Sequence, residues 1–294
     1  MITVMGATGN TGKAAAERLL AAGKAIRVIG RSEDRLRPLV DRGAVAAAGD
    51  ATDVAFLSTA FEGAEAVYAM VPPDHAHPDP RKYYNRFGET IAEALRRSSV
   101  KRLVFLSSLG GELPDGTGPI KGLHDLEERF RDLKIDLLIL RAAYFYDNFY
   151  ASLGLIKQQG LNGGAIEPEA LFPMTAAEDI GAAAADELAR GAFKGVAVRE
   201  VLGPRDYTMK ETTRILGGKI GKPDLAYVRF PDAAFSDALL KMGFSKGLAD
   251  DFVEMARGIS TGRIRALQGR TPRNTAPTSF ETFADRLAAA YRAP

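Results

Sequence analysis

The chain opens with MITVMGATGNTG over residues 1–12, and this stretch decides the fold. A short apolar run, 1–5, leads into a glycine-rich turn. Helical spacing then runs from Thr11 to Ala22, and Gly23 is placed to end that helix. Residues 25–29 are apolar again. The order predicts a strand, a helix and a second strand within about 30 residues.

The alternation continues as far as residue 141. The sequence predicts helices at 33–42, 53–61, 80–98 and 121–132, and strands at 44–48, 65–71, 102–108 and 135–141. Strands separated by helices indicate right-handed crossovers and a parallel sheet that is covered on both faces. We therefore expect an α/β protein with a doubly wound parallel sheet.

After Arg141 the sequence becomes helix-rich and is interrupted by glycine and proline. One further strand, Val196 to Leu202, is expected to return to the sheet edge. The predicted boundaries are 1–144 plus about 173–204 for the first domain, and 145–172 plus 205–294 for a smaller lobe. We expect this lobe to lie over the carboxyl ends of the strands.

The composition excludes several classes of function. With 294 residues, 46% hydrophobic and 26% charged, the chain is typical of a soluble globular protein. Its 39 basic and 37 acidic residues give a net charge of +2, and the basic residues are scattered, which disfavours nucleic-acid binding. The absence of cysteine excludes a disulfide, an iron–sulfur cluster and a thiol nucleophile.

The sequence also predicts the location of the protein. The N-terminus has no basic segment followed by an apolar stretch and a cleavage site. No run of about 18 apolar residues is present. We expect a cytoplasmic protein that does not interact with a membrane.

The glycine loop between the first strand and the first helix predicts a dinucleotide site. At this position, backbone N–H groups and the helix dipole favour a pyrophosphate. Gly6 permits a tight turn, Gly9 lets the phosphates approach the backbone, and Gly12 lets the helix pack closely on the strand. The expected cofactor-binding residues of the loop are Gly6, Thr8, Gly9, Asn10, Thr11 and Gly12.

A nucleoside triphosphate loop is the competing interpretation, because Gly12 is followed by Lys13. That pattern requires glycine where the chain has Ala7, and a hydroxyl residue where it has Ala14. ATP hydrolysis is therefore disfavoured.

The end of the second strand predicts which dinucleotide binds. An acidic residue that would bind the ribose hydroxyls is expected there, but the chain has Arg31. A guanidinium would bind a 2′-phosphate, so we expect NADPH in preference to NADH. Arg35 and Arg37 would add positive potential, or would lie on a solvated helix face.

Two further segments are expected to line the cofactor. Asp50 ends the third strand and would line the adenine pocket, unless it only closes a turn. Met70, Val71 and Pro72 follow the fourth strand and would pass along the cofactor.

Several segments together resemble the NmrA-like branch of the atypical short-chain dehydrogenase/reductases. They are GATGNTG at 6–12, Arg31, VKRLVFLSSLGG at 100–111, RAAYFYDNF at 141–149, FPMTAAEDI at 172–180 and PTSFETFADRLA at 277–288. The resemblance implies a Rossmann domain with a smaller, mostly helical substrate lobe. Members of the family include NADPH-dependent quinone reductases, azoreductases and redox-sensing regulators, so membership leaves the activity open.

The chain lacks the usual catalytic pair of short-chain dehydrogenases, a tyrosine with a lysine four residues later. A conventional alcohol dehydrogenase is therefore disfavoured. Reduction of a quinone or an azo compound needs only one modest proton donor, and His124 is the first candidate. The alternative is that His124 is an exposed first-turn residue bonded to Glu128. Lys121 competes for the same catalytic role.

The ends of the fifth and sixth strands supply the remaining candidates. Ser107 is expected to contact the cofactor and Ser108 the substrate, unless both only cap the strand end. Five aromatic residues lie within 144–150. Tyr144 and Phe145 are expected to bind the substrate, and at least three of the five are expected to join the two lobes.

His75 and His77 lie in a proline-rich loop, which we expect to be a solvent-exposed lid with no metal. Taken together, the sequence predicts a reductase that transfers hydride from NADPH to a quinone, an azo compound or a similar planar electrophile. The alternative is a redox sensor that binds NADP(H) without turnover. The expected partners are a small-molecule acceptor, a second copy of the chain and, for the sensor, a regulatory protein.

Overall fold

The computed structural model describes residues 1–293. The strands are β1 (Ile2–Val4), β2 (Ile26–Gly30), β3 (Val45–Ala48), β4 (Ala66–Ala69), β5 (Arg102–Ser108), β6 (Asp136–Ala142), β7 (Tyr144–Phe145), β8 (Asn162–Gly164), β9 (Phe172–Thr175), β10 (Val196–Val201), β11 (Asp206–Tyr207) and β12 (Tyr227–Arg229). A 3₁₀ turn spans Tyr146–Ala151. The α-helices are α1 (Asn10–Ala21), α2 (Glu33–Val40), α3 (Val54–Phe61), α4 (Pro80–Arg96), α5 (Ile120–Arg131), α6 (Ser152–Gln159), α7 (Ala177–Arg190), α8 (Met209–Lys219), α9 (Asp232–Lys241), α10 (Lys246–Ser260) and α11 (Phe280–Arg292).

The main sheet has seven parallel strands in the order β3-β2-β1-β4-β5-β6-β10. The order reverses at β1 and β4, which is the point where doubly wound sheets open a ligand crevice. The predicted doubly wound sheet is confirmed, and β10 pairs with β6 in parallel at the edge, as expected. The predicted strand at 65–71 ends earlier, at Ala69, because the proline-containing segment that follows leaves the sheet.

Helices cover both faces of this sheet. Helices α1 and α7 pack together on one face, where their alanine-rich surfaces allow a close approach. A Cβ on Gly181 of α7 would overlap the carbonyl oxygen of Thr11. Helices α3, α4 and α5 cover the other face with larger apolar side chains, which include Phe61, Ile91 and Phe130.

The remaining segments form the smaller lobe with a separate core. Its short strands make a three-stranded sheet, β11-β9-β7, and a pair, β12-β8, and helices account for most of the rest. Aromatic residues dominate the core, with Tyr146, Phe149, Tyr207 and Phe280 all buried. The predicted mostly helical lobe is therefore confirmed, whereas the exact domain boundaries stay a prediction. No helix within residues 1–293 combines the length and the apolar character that a bilayer span requires.

Candidate active site

A cleft of about 820 Å³ opens at the carboxyl ends of β1, β2, β3 and β4. Parallel strands present their carboxyl ends at one edge, so the loops that follow them converge there. The cleft is lined by Met5, Gly6, Thr8, Gly9, Ile29, Gly30, Arg31, Arg35, Gly49, Asp50, Ala51, Thr52, Met70, Pro72, Pro73, Asp74, His75, Tyr83 and Phe87.

The glycine loop forms the floor of this cleft, and its three glycines differ in what surrounds them. Gly6 has φ +64°, and a Cβ there would lie 2.6 Å from the Met70 sulfur. A Cβ on Gly12 would overlap the Gly6 carbonyl oxygen and lie 2.7 Å from the carbonyl oxygen of Met5. A Cβ on Gly9 would meet only the Gly6 oxygen, at 3.4 Å. The loop therefore requires glycine at 6 and 12 for its own fold, whereas Gly9 leaves space on the open side.

The first turn of α1 suits an anion. The N-caps of α2 and α3 are Ser32 and Asp53, whose side chains accept hydrogen bonds from backbone N–H groups. The N-cap of α1 is Gly9, which has no side chain to accept them. The first-turn N–H groups of α1 therefore remain available at the positive end of the helix dipole, on the floor of the cleft. This donor set fits the pyrophosphate of a dinucleotide.

The side chains of Asn10 and Thr11 hold the loop in place. Thr11 accepts a hydrogen bond from the buried Tyr68 hydroxyl, at 3.0 Å. Asn10 donates to Asp147 at 3.2 Å, and the same carboxylate accepts from the N–H of Ala177 at 2.9 Å. Burial raises the pKa of Asp147. Asn10 and Thr11 can thus contact a cofactor through their backbone, while Asp147, which sequence reasoning missed, ties the loop to α7.

Charged residues lie at the adenosine end of the cleft. Arg31 is exposed on its rim, whereas Arg35 donates to the Thr8 carbonyl at 3.2 Å. Asp50 accepts from the N–H of Thr52 at 2.8 Å, and these local hydrogen bonds lower its pKa. An ionised Asp50 therefore lies in the same cleft as the two guanidinium groups.

The segment after β4 forms the opposite wall. Met70 and Pro72 line the cleft, but the Val71 side chain packs in the core with α3 and α4. Tyr83 donates its hydroxyl proton to the Pro72 carbonyl at 2.9 Å, and burial, with the charge of Asp74, raises the pKa of Tyr83 to about 12.

The histidine loop packs against the smaller lobe. The His75 ring stacks on Phe244 with centroids 4.4 Å apart, and the His75 carbonyl accepts from the N–H of Ser245 at 2.8 Å. The nitrogen Nδ1 of His77 accepts from the N–H of Asp79 at 3.2 Å. The expected exposed loop is therefore docked on the turn between α9 and α10. Across residues 1–293, no group of three or more His, Asp or Glu side chains is placed to hold a metal ion.

A second, apolar cavity of about 40 Å³ lies at the ends of β5 and β6. It brings together Ser108 and Tyr144, and the Tyr144 ring stands edge-on to Phe172 at 5.6 Å. Phe145 packs against the core of the first domain instead. The lining residues are Ser108, Leu109, Ile120, Ala142, Tyr144, Phe172, Pro173, Met255, Ile259 and Ile264.

Ser107 is buried and lines neither cavity. Its hydroxyl donates to Glu127 at 2.6 Å, and Glu127 also pairs with Arg141. Sequence reasoning missed this ion pair. Two features of the sequence could have indicated it: Glu127 lies on the apolar face of α5, and Arg141 lies within the apolar strand DLLILRA.

The two proton-donor candidates are placed differently. The Nδ1 atom of His124 lies 2.9 Å from the Gly111 carbonyl oxygen. The structure shows this contact in place of the alternative one with Glu128, whose carboxylate pairs with Arg131 at 3.1 Å.

Lys121 is held by two carboxylates of α10, Asp251 at 3.0 Å and Glu254 at 2.8 Å. Burial alone would lower the pKa of Lys121, but the hydrogen bonds to these carboxylates outweigh it and raise the pKa. Lys121 therefore joins α5 to α10 and is a poorer proton donor than His124.

Known proteins match the chain along most of its length. The model of the NmrA-like family matches residues 1–266. Quinone oxidoreductase 2 of Escherichia coli is 26% identical over 270 residues, 90% of each chain. The (4-alkanoyl-5-oxo-2,5-dihydrofuran-3-yl)methyl phosphate reductase of Streptomyces griseus is 28% identical over 283 residues, 93% of this chain and 94% of the relative.

Solved structures of similar fold cover nearly the whole chain. The E. coli NADPH-dependent quinone oxidoreductase complexed with NADPH has a TM-score of 0.82 at 23% identity, covering 98% of this chain and 99% of the other. The Citrobacter sp. triphenylmethane reductase complexed with NADP(H) has a TM-score of 0.79 at 19% identity, covering 98% and 100%. Because the family model spans most of the sequence and agrees with the observed fold, the chain belongs to the NmrA-like family.

Proposed function

We propose that this chain is an NADPH-dependent oxidoreductase that reduces a quinone or a similar planar electrophile. The observation that carries the proposal is that a cleft and an apolar cavity both open at the carboxyl-end edge of the sheet. A long cleft with an uncapped glycine loop leads from β1–β4, and a small apolar cavity opens at the ends of β5 and β6. The curated relatives named above, which are reductases by name, support the same reaction class.

The long cleft suits NADPH. A bound nicotinamide cofactor supplies the hydride, so the protein has to bind and orient the cofactor and the acceptor and to exclude water. The first turn of α1 would hold the pyrophosphate, and Arg31 would bind a 2′-phosphate at the rim. Met70 and Pro72 would pack along the cofactor on the other wall.

The small cavity supplies an apolar surface for a flat acceptor. At about 40 Å³ it is too small to enclose a ring, so the acceptor would lie against its walls after they move apart. Its walls are Tyr144 and Phe172 on one side and Met255, Ile259 and Ile264 on the other. Aromatic and aliphatic walls orient a planar ring by shape, and orientation can supply much of the catalysis in a hydride transfer. No Tyr/Lys pair is present in the sequence, so another residue has to supply the proton that the reduced acceptor needs. We assign this role to His124, which lines neither cavity but lies one turn from Ile120, a lining residue of the apolar cavity.

The test is NADPH oxidation by the purified protein with a panel of quinones, an azo dye and a triphenylmethane dye. NADPH binding is followed in the same samples by the fluorescence of the nicotinamide. Turnover that depends on the acceptor and saturates would support the proposal. Tight NADPH binding without turnover of any acceptor would refute the reductase and favour the redox sensor. A protein partner captured with only one redox form of the cofactor would then identify the sensor's target.

A further inference from the structure

We propose that the buried ion pair Glu127–Arg141 positions His124, acting through the Gly111 carbonyl, so that Nδ1 of the His124 ring carries a proton and Nε2 exchanges the proton of the reaction. Only the catalytic part of this inference rests on the proposed function. The positions of the protons on the His124 ring can be measured without any turnover.

The ion pair is rigid because it is buried and bidentate. The Glu127 and Arg141 side chains are 1% and 8% exposed. Arg141 donates from Nε to Oε1 of Glu127 at 3.0 Å and from Nη2 to Oε2 at 2.6 Å, and Ser107 adds a third donor at 2.6 Å. Such a fork fixes both the distance and the plane of the two groups.

Gly111 lies directly on this carboxylate. A Cβ at Gly111 would overlap Oε1 of Glu127 and lie 2.8 Å from the Ser107 oxygen. The N–H of Gly111 donates to the Ser108 carbonyl at 2.9 Å, and the next residue, Glu112, pairs with Arg141 at 2.9 Å. The backbone at Gly111 is therefore held on both sides, and its carbonyl oxygen points at a fixed place.

That carbonyl determines the protonation of the His124 ring. A carbonyl oxygen can only accept, so Nδ1 of His124, 2.9 Å away, must be the donor. In the neutral ring the lone pair is then on Nε2, and in the imidazolium Nε2 carries the second proton. His124 and Glu127 are three residues apart on α5, so one rigid helix carries both the ring and its anchor.

The reaction balances with this assignment. A quinone takes hydride from NADPH at the ring system and becomes a hydroquinone anion. The anion takes one proton from Nε2 of the imidazolium, and His124 becomes the neutral ring with its proton on Nδ1. Water returns the proton to Nε2. Glu127 and Arg141 touch neither acceptor nor cofactor in this scheme and act as positioning residues.

The direct test is ¹⁵N NMR of the imidazole nitrogens at a pH where the rings are neutral. The chain has only three histidines, and the signal lost in His124→Asn identifies His124. We expect the Nδ1–H form in the wild type and a mixture of the two tautomers in Glu127→Gln. Glu128→Gln is the matched control, because Glu128 is an exposed neighbour on the same helix, and it should match the wild type.

A wild-type ring protonated mainly on Nε2 would overturn the proposal without any variant. An unchanged tautomer in folded Glu127→Gln would overturn it too. If Glu127→Gln does not fold, Gly111→Ala replaces it, because the added methyl pushes the loop away from the carboxylate. A tautomer in folded Gly111→Ala that matches the wild type would likewise overturn the proposal.

Turnover provides a second readout. We expect kcat of Glu127→Gln to fall by roughly 10- to 100-fold with an unchanged KM for NADPH, since misplacing a proton donor slows chemistry without removing cofactor contacts. The double variant Glu127→Gln/His124→Asn should be no slower than His124→Asn alone, and a further drop would contradict the positioning role. If no acceptor is reduced, the proposed function fails, while the NMR result still decides the tautomer.

Discussion

Replacing Gly12 with alanine tests the glycine loop most directly, because the structure separates its folding role from its binding role. The Cβ would lie 2.6 Å from the Gly6 carbonyl carbon and 2.7 Å from the Met5 carbonyl oxygen, and would overlap the Gly6 oxygen. All three neighbours are backbone atoms, so no side-chain rotation relieves the clash. The loop or the start of α1 has to move.

The expected magnitude follows from that displacement. Overpacking a tight interior site costs roughly 1–3 kcal/mol, so the free energy of unfolding should fall by about that amount. For a chain of this size we expect a loss of several degrees in Tm. Moving the loop also misaligns the first-turn N–H groups of α1, so NADPH binding should weaken by at least tenfold, or about 1.4 kcal/mol.

Gly9→Ala is the matched control. Its Cβ would meet only the Gly6 oxygen, at 3.4 Å, which is ordinary contact, so Tm should fall much less than in Gly12→Ala; the remaining loss is that of alanine at an N-cap. NADPH binding should still weaken, because the methyl group occupies the open side where we place the phosphates. Thermal unfolding by circular dichroism and a fluorescence titration with NADPH measure the two effects separately.

Two results would refute the reasoning. Equal stability of the Gly12→Ala and wild-type proteins would show that the loop is not constrained as the distances indicate. Unchanged NADPH affinity in Gly9→Ala would show that the cofactor phosphates do not approach the loop at that residue.

The other predictions concern the rim, the apolar cavity and the smaller lobe. Arg31→Ala should weaken NADPH binding by roughly 10- to 100-fold and leave NADH binding unchanged, since a charged hydrogen bond contributes about 1.5–3 kcal/mol. Arg37→Ala is the control, because Arg37 lies nearby on α2 but does not line the cleft. Parallel losses of affinity for both cofactors in Arg31→Ala would exclude a 2′-phosphate contact. Met255→Ala should enlarge the apolar cavity and lower KM for bulkier acceptors relative to small quinones, and an unchanged ratio would mean that the acceptor binds elsewhere. Burial would raise the pKa of Glu281, but hydrogen bonds from Arg205 and Tyr207 lower it to about 2. A carboxyl group with a lowered pKa stabilises the fold at pH values above its usual pKa of 4.5, and this stabilisation is lost as the pH falls toward 2. Glu281→Gln should therefore be less stable than the wild type at pH 7, and the difference should shrink below pH 4.5. A constant difference between pH 7 and 3 in denaturant titrations would contradict this assignment.

Local sequence patterns predicted the first domain well. Each strand and helix up to Ala142 lies within about two residues of its predicted bounds, because hydrophobic periodicity and capping residues act over short distances. The roles of Gly6 and Gly12 were also predictable, since their place between a strand and a helix determines their packing. The predicted Val71 contact differs because its segment leaves the sheet with that side chain turned inward.

The contacts between distant parts of the chain were not predictable from local patterns. Asn10 meets Asp147 across 137 residues, and Lys121 meets Glu254 across 133. A sequence shows that such residues are polar, but their partners depend on how the smaller lobe sits on the first domain. Ser107 is a different case, because its partner Glu127 lies on α5 of the same domain, and the packing of that helix on the sheet determines the contact.

Helix α5 shows why the choice between His124 and Lys121 as proton donor requires the structure. Lys121, His124 and Glu127 follow one another at intervals of three, and each step of three turns the side chain by about −60° on an α-helix. The three residues therefore sweep across about a third of the helix surface. The sequence shows this sweep, but the packing decides that the first residue faces α10, the second faces the Gly111 loop and the third faces the sheet. Lys121 is neutralised by two carboxylates and Glu127 by a guanidinium, whereas Nδ1 of His124 meets the neutral Gly111 carbonyl. For this reason we assign the proton transfer to Nε2 of His124.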